Sequence, residues 1–100
     1  MVYKITWSLE ALSTYLLAID YLEKVWTERE VKNFIRLVDD KLQLLITQPR
    51  LGRPSMKVKN VHRTVIHKRI TLVYRHKPIK KEIELVTFWN NWQNPEKLKY

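Results

Sequence analysis

The sequence predicts an α+β domain of the order β-α-α-β-β-β, in which an antiparallel helical hairpin packs on a small, largely antiparallel four-stranded sheet. Three observations support this prediction. Residues 2–7 alternate between apolar and polar side chains, residues 8–48 repeat apolar side chains every three or four positions, and residues 61–89 are rich in β-branched and aromatic residues. A chain of 100 residues can bury one core, so we expect residues 1–100 to form a single domain.

The first strand and the first helix meet at Ser8. In the segment VYKITW, the side chains of Tyr3, Ile5 and Trp7 share one face of a half-buried strand. The Ser8 hydroxyl is a typical N-cap, and Glu10 lies in the first turn, where the helix dipole favours an anion. The spacing of three and four predicts a buried stripe made of Leu12, Tyr15 or Leu16, Ile19, Leu22 and Trp26.

The second helix begins at a capping box, almost where the first helix ends. In the segment TERE, Thr27 can cap the amide of Glu30, and the Glu30 carboxylate can reach back to the amide of Thr27. Pro49 disfavours helical geometry in the residue before it and so ends the helix. So short a connection predicts an antiparallel helical hairpin. The apolar stripe of this helix is expected to be Val31, Phe34 or Ile35, Val38, Leu42 and Leu45.

The segment QPRLGRPS, residues 48–55, is the clearest loop, because it holds the only glycine and two of the four prolines. Three strand-like segments follow it, at residues 61–67, 70–76 and 81–89. The short polar segments KR and KPIK separate these strands. The second half of the chain is therefore predicted to be a three-stranded meander.

Arg63 is difficult to place in the predicted meander. If Lys68 and Arg69 form a two-residue turn, Arg63 shares a face with the apolar residues Leu72 and Tyr74. An arginine at such a position needs either a carboxylate partner near the strand end or a β-bulge that turns it toward a site. The sequence leaves both alternatives open.

Positive charge is concentrated in the second half of the chain. Residues 1–50 have seven basic and seven acidic side chains, whereas residues 51–100 have twelve basic and three acidic side chains. Residues 57–81 alone hold nine Lys or Arg, all three histidines and no acidic residue. Lysines on exposed strands also prevent edge-to-edge aggregation, but a few would suffice. We therefore expect a polyanionic target or an acidic protein partner.

Composition excludes several other kinds of site. A single glycine is incompatible with phosphate-cradling loops, and the absence of cysteine excludes disulfides, thiolate zinc sites and cysteine nucleophiles. The spacing of His62, His67 and His76 matches no zinc pattern, so we expect neither a metal ion nor another cofactor. No secretion signal and no long apolar stretch is visible, which predicts a cytoplasmic protein without a membrane partner.

Five segments of the sequence resemble the toxins of the RelE/ParE superfamily, which belong to bacterial type II toxin-antitoxin pairs. They are YKITWSLEAL, QPRLGRP, VHRTVIHK, LVYRH and the closing IELVTFWNNWQNPEKL. The closing segment is the most specific, because Gln93, Pro95 and Lys97 keep the family pattern, while Trp92 replaces its arginine. The resemblance covers nearly the whole chain and implies the same fold as the periodicity predicts.

The resemblance implies a growth-inhibiting toxin that is held inactive by a cognate acidic antitoxin. RelE-like members cut messenger RNA on the ribosome, whereas ParE-like members poison DNA gyrase without cutting anything themselves. The resemblance does not choose between the two, and the positive charge favours the ribosome-dependent endoribonuclease. The resemblance also implies a role in plasmid stabilisation. An alternative of another class is a non-toxic basic module that binds nucleic acid and does not arrest growth.

The resemblance and the charge together give the candidate site residues. Cleavage of RNA by its 2′-hydroxyl group needs a proton acceptor, a proton donor and cations beside the phosphate. For a metal-independent endoribonuclease, the candidate catalytic residues are Arg63, His67 and Tyr74. The candidate target-binding residues are Lys57, Lys59, Lys68, Arg69, Arg75 and Trp92. Thr71 stands where RelE-like nucleases have an arginine, and Lys57 and Lys59 resemble the lysines ahead of their second strand.

Overall fold

Two helices pack on one face of a five-stranded sheet in the computed structural model, which describes residues 2–68, 70–91 and 100. The elements are β1 (Lys4–Trp7), α1 (Leu9–Val25), α2 (Glu28–Leu45), β2 (Arg53–Pro54), β3 (Val61–His67), β4 (Ile70–Lys77) and β5 (Glu82–Asn90). The strand order is β1-β5-β4-β3-β2, with β1 parallel to β5 and all other neighbours antiparallel. The predicted α+β fold and its helical hairpin are confirmed.

The sheet has one strand more than the four predicted. The additional strand, β2, lies in the segment that the sequence predicts to be a loop, and it pairs with β3 through Arg53 opposite Arg63 and Pro54 opposite His62. A strand of two residues has no periodicity to detect. Its proline lacks an N–H donor, which is tolerated because β2 is an edge strand.

The predicted caps of both helices are present. The Ser8 hydroxyl accepts a hydrogen bond from the Ala11 amide at 2.9 Å and donates to the Val86 carbonyl at 3.0 Å, so it also ties α1 to β5. The Thr27 hydroxyl accepts from the Glu30 amide at 3.4 Å. The Glu30 carboxylate is directed to β3 instead, where it lies 3.3 Å from Nε2 of His67.

The buried stripe of α1 follows the prediction at Tyr15, Ile19, Leu22 and Trp26, which are buried or pack against the core, and departs from it at Leu12. Ala11, Ala18 and Leu22 are buried, whereas Leu12 and Leu16 are 47% and 57% exposed. Because α1 is apolar around most of its circumference, the spacing alone does not define which side faces the sheet. The small alanines face β5, which contacts α1. The α2 stripe follows the prediction, with Phe34 rather than Ile35 in the core.

The two faces of the sheet are buried to different extents. The main core forms between the sheet and the helices, and it includes Phe34, Leu72, Tyr74, Leu85 and Phe88. A smaller cluster on the opposite face consists of Val61, Val73 and Val86, with Val58, Trp89 and Tyr100 packed against it. The face turned away from the helices is called the open face below.

A β-bulge in β3 decides where Arg63 lies. The pairing of β3 with β4 shifts register between Val65 and His67, so Arg63 is opposite Val73 of the open-face cluster. The prediction that Arg63 shares a face with Leu72 and Tyr74 is therefore wrong, and the alternative of a bulge is confirmed. One inserted residue exchanges the faces of a strand, because side chains alternate with a period of two.

No helix in the part of the chain that the structure describes is long and apolar enough to cross a membrane.

Candidate functional site

Two arginines lie side by side on the open face, at the edge of the sheet. Arg53 of β2 is opposite Arg63 of β3, and cross-strand partners point to the same face. Arg53 is exposed and Arg63 is half-buried. Within residues 2–68 and 70–91, neither forms an ion pair with an acidic side chain. Like charges directly opposite each other are destabilising, so this pair costs free energy that an anionic partner would offset.

Positive charge elsewhere on the open face is neutralised. Nε of Arg75 lies 3.5 Å from Oε1 of Glu84, and Nζ of Lys77 lies 3.3 Å from Glu82 and 3.5 Å from Glu84. Arg75, a predicted target-binding residue, is therefore paired on the side of the sheet nearer β5. Among the described residues of β2 and β3, Arg53 and Arg63 have no such acidic partner.

The connection between β2 and β3 adds two lysines beside the arginine pair. Lys57 and Lys59, both predicted to bind the target, are exposed in this connection. The Ser55 hydroxyl accepts hydrogen bonds from the amides of Lys57 at 3.0 Å and Val58 at 3.2 Å. The connection ends at Asn60, whose φ of 64° is left-handed, a conformation that asparagine tolerates better than most residues. This short turn holds both lysines in the connection between the strands that carry Arg53 and Arg63.

The floor of the open face is apolar and aromatic. Trp89 lies opposite Thr71, next to the valine cluster, and Tyr100 packs on the same cluster. The Thr71 hydroxyl donates to Oδ1 of Asn91 at 2.7 Å. The face thus offers flat rings beside guanidinium groups, an arrangement suited to protein or nucleic-acid contact.

Tyr74, a predicted catalytic residue, is buried on the helix side of the sheet. Its hydroxyl accepts a hydrogen bond from the Gly52 amide at 2.9 Å and donates to the Pro49 carbonyl at 2.8 Å. Burial raises the pKa of Tyr74, and the hydrogen bond with Gly52 partly opposes this change. Tyr74 therefore attaches the loop after α2 to the sheet, and it does not share a face with Arg63.

His67, another predicted catalytic residue, is also buried on the helix side. Its Nε2 atom lies 3.3 Å from Oε2 of Glu30, which connects the end of β3 to the start of α2. The structure therefore places two of the three predicted catalytic residues on the helix side and Arg63 on the open face. Lys68, predicted to bind the target, is exposed with its ammonium group 4.8 Å from the ring of Trp26.

Arg69 and Trp92, the remaining predicted target-binding residues, lie outside the described residues. So do Gln93, Pro95 and Lys97 of the closing family pattern.

A second group of polar rings lies where β1, β3 and β4 meet. Nδ1 of His62 is 3.0 Å from the Gly52 carbonyl, and its ring stacks on Tyr74 with centroids 5.4 Å apart. Nε2 of His76 lies 3.1 Å from the Tyr3 hydroxyl. Burial lowers the pKa of His76, and the positive charges of Arg50 and His62 lower it further. Among the described residues, no group of three or more His, Asp or Glu side chains could hold a metal ion.

Sequence reasoning missed Arg53, Arg50 and Tyr3 as members of these groups. Each acquires its neighbours through contacts between distant segments, since Arg53 depends on the pairing of β2 and Tyr3 directly precedes β1, which joins the sheet beside β5. The alternation of β1 gave the orientation of Tyr3, but nothing in the sequence indicated that His76 lies beside it.

A family model described as the ParE toxin of the type II toxin-antitoxin system parDE matches residues 5–94. The chain belongs to this family. The predicted membership of the RelE/ParE superfamily is confirmed, and the chain is a toxin of a type II toxin-antitoxin system. This context implies a cognate antitoxin as its partner.

Solved structures of ParE, RelE and YoeB toxins share the fold. The chromosomal ParDE system from P. aeruginosa aligns with a TM-score of 0.71 at 16% identity, over 89% of this chain and 96% of that chain. An arginine-substituted variant of the E. coli toxin RelE in the free state aligns with a TM-score of 0.67 at 14% identity, over 96% and 90%. The YoeB dimer from Staphylococcus aureus aligns with a TM-score of 0.58 at 19% identity, over 87% and 94%. No curated protein sequence is a significant match.

Proposed function

We propose that this ParE-family toxin arrests growth as a DNA gyrase poison, by binding gyrase through the part of the open face around Arg53 and Arg63, without cutting RNA itself. One observation carries the proposal: two arginines with no acidic partner among the described residues lie side by side on the open face, while His67 and Tyr74 are engaged on the helix side. Cleavage of RNA requires a proton donor and a proton acceptor within hydrogen-bond reach of the reacting phosphate. A binding surface has no such requirement.

The chemistry of the pair suits a poison that acts by binding. Each guanidinium group can donate two parallel hydrogen bonds to one carboxylate or phosphate, and arginine loses less hydration than lysine when it enters an interface. Trp89 and the valines of the open-face cluster supply apolar area beside the charges. Interfaces of this composition derive most of their affinity from a few aromatic and arginine residues.

A second candidate, the ribosome-dependent endoribonuclease predicted from the charge, is favoured by the position of Tyr100. Tyr100 packs on the same cluster as Val61 and Val73, which are neighbours of Arg63 in the sheet. A tyrosine hydroxyl on this face could donate a proton to the leaving oxygen while Arg63 stabilises charge on the phosphate. Under this second function, Tyr100→Phe abolishes RNA cleavage and leaves the binding surface intact.

The proposal predicts that Arg53→Gln/Arg63→Gln loses growth arrest while keeping its fold. Both side chains are at least partly exposed, so the change in unfolding free energy should stay near 0.5 kcal/mol per site. The matched control is Arg29→Gln/Arg36→Gln, which removes the same charge from the exposed side of α2. The control should arrest growth like the unaltered toxin.

Two assays with purified toxin separate the mechanisms. We expect the unaltered toxin and the Arg29→Gln/Arg36→Gln control to inhibit DNA supercoiling by gyrase. The Arg53→Gln/Arg63→Gln variant should not inhibit it. Cleavage of messenger RNA on translating ribosomes without an effect on gyrase would replace the proposal by the second candidate. Undiminished growth arrest by a soluble Arg53→Gln/Arg63→Gln variant would show that this face is not the working surface.

A further inference from the structure

A cavity of about 450 Å³ lies at the end of the sheet where β1, β4 and the loop after α2 meet, away from the open-face arginines. Its lining includes one guanidinium group, one imidazole, one phenol and no acidic side chain. The lining residues are Tyr3, Gln48, Pro49, Arg50, Leu51, His76 and Pro78.

Three polar side chains that line this cavity, Tyr3, Arg50 and His76, can carry a donor group. His76 is only 5% exposed, and its Nε2 atom lies 3.1 Å from the Tyr3 hydroxyl, with the two rings 5.2 Å apart. Arg50 is exposed, and no acidic side chain in the described ranges pairs with it. The ring of His62 lies 6.2 Å from that of His76 on the side of β3.

The surroundings of His76 are cationic on its other side as well. A second cavity, of about 390 Å³, shares His76 and Pro78 with the first, and its charged lining residues are Lys59, Arg75, Lys77 and Lys80. Glu82 and Glu84 are the nearest acids of that strand pair, and both are engaged by Arg75 and Lys77. Neither Glu82 nor Glu84 is therefore free to balance Arg50 and His76, and no carboxylate in the described ranges forms an ion pair with Arg50.

A group of cations without an acid is the electrostatic complement of a small anion. Phosphate presents several acceptor oxygens, which match the fork of the Arg50 guanidinium group and the Tyr3 O–H, whose oxygen accepts from Nε2 of His76 when the imidazole is protonated. The site is also pre-formed, because Tyr74 holds Pro49 and Gly52 and thereby fixes the loop that carries Arg50. Pre-formed donors bind without the entropy cost of ordering a loop.

We infer that the cavity bounded by Tyr3, Arg50 and His76 binds a phosphate group, either as inorganic phosphate or as a phosphate monoester. The site is separate from the open face and does not depend on the function proposed for it. Because the bound anion favours the imidazolium form of His76, binding takes up a proton. Binding therefore raises the pKa of His76 from its lowered value in the free protein.

The test follows the imidazole resonances of the full chain by NMR during titration with inorganic phosphate, across a pH series that spans the lowered pKa of His76. We expect saturable shifts of His76 at millimolar phosphate and a His76 pKa that is higher with phosphate than without it. Arg50→Ala should weaken binding by about tenfold or more, since it removes a charged hydrogen bond. Tyr3→Phe should weaken phosphate binding less than Arg50→Ala does, because it removes only the hydroxyl group and keeps the aromatic ring.

The matched control is Arg53→Ala, which removes the same side chain from the open face three positions along the chain. It should bind phosphate like the unaltered protein. The inference would be overturned by any of three results. These are an equal loss of phosphate affinity in Arg50→Ala and Arg53→Ala, unchanged phosphate affinity in Arg50→Ala, and the same His76 shifts with sodium chloride at matched ionic strength. A parallel titration with a nucleoside 5′-monophosphate identifies the source: tighter binding indicates a nucleotide, and equal binding indicates free phosphate.

Discussion

Gly52 and Tyr74 show how one close contact between residues positions the site. A Cβ atom on Gly52 would lie 2.7 Å from the Arg63 carbonyl oxygen and 2.9 Å from the Tyr74 hydroxyl, so only glycine fits there. The Tyr74 hydroxyl in turn bonds both the Gly52 amide and the Pro49 carbonyl. The edge strand that carries Arg53 begins one residue later. The single glycine of the chain is therefore required by packing, and it aligns Arg53 with Arg63.

At the residue scale, Tyr74→Phe distinguishes a structural role of this hydroxyl from the predicted catalytic one. The substitution leaves the Gly52 amide and the Pro49 carbonyl without their partner, which should cost about 1–3 kcal/mol and lower the Tm by several degrees. Growth arrest should persist at temperatures below the new Tm. The control, Tyr15→Phe, alters a half-buried tyrosine for which the described chain provides no hydrogen bond, and its Tm should barely change. Lost arrest with an unchanged Tm would support the catalytic role instead.

At the scale of elements, the features set by local chemistry could be predicted and those set by pairing could not. The helix starts follow from the oxygens of Ser8 and Thr27, which lie within three residues of the amides that they cap. The β2 strand and the bulge at Ile66 depend on contacts between distant segments. That bulge places Arg63 on the open face. The sequence could therefore predict that the site is basic, but not which residues share a face.

The outer side of α1 carries more apolar surface than the monomer uses. Leu9 is 88% exposed and Leu17 is 62% exposed, in addition to Leu12 and Leu16. A helix that is apolar around most of its circumference normally has a partner on both sides. Since the chain is a toxin of a toxin-antitoxin system, the expected partner is the antitoxin. We predict that a segment of the antitoxin folds on this side of α1.

The matching experiment uses Leu12→Gln/Leu16→Gln, which keeps good helix formers at exposed positions. The variant should remain toxic and folded, while its affinity for the purified antitoxin falls roughly tenfold or more because apolar area is no longer buried. Co-expression of the antitoxin should then fail to restore growth. Leu44→Gln, at a comparably exposed position of α2, is the control and should be neutralised normally. Full neutralisation of the double variant would place the antitoxin elsewhere.

At the scale of the whole molecule, charge and apolar surface are separated between two layers. Residues 1–50, which include both helices, have no net charge. Residues 51–100, which include most of the sheet, have a net charge of +9. Among the described residues, this charge includes Arg53 and Arg63, which form no ion pair with an acidic side chain. An acidic antitoxin that contacts both layers would therefore bind through two separable contributions, one electrostatic and one hydrophobic.

These contributions should respond differently to salt. Charges separated by a few ångströms of solvent are screened strongly when the Debye length falls from about 10 Å at 0.1 M salt to about 3 Å at 1 M, whereas apolar burial is not. The Kd of the toxin-antitoxin complex should therefore rise with salt for the unaltered toxin, and less steeply for Arg53→Gln/Arg63→Gln. Leu12→Gln/Leu16→Gln should keep the original slope with a higher Kd at every salt concentration. Calorimetry across a salt series measures both slopes. Identical slopes for the unaltered toxin and the arginine variant would show that the antitoxin does not cover the open face.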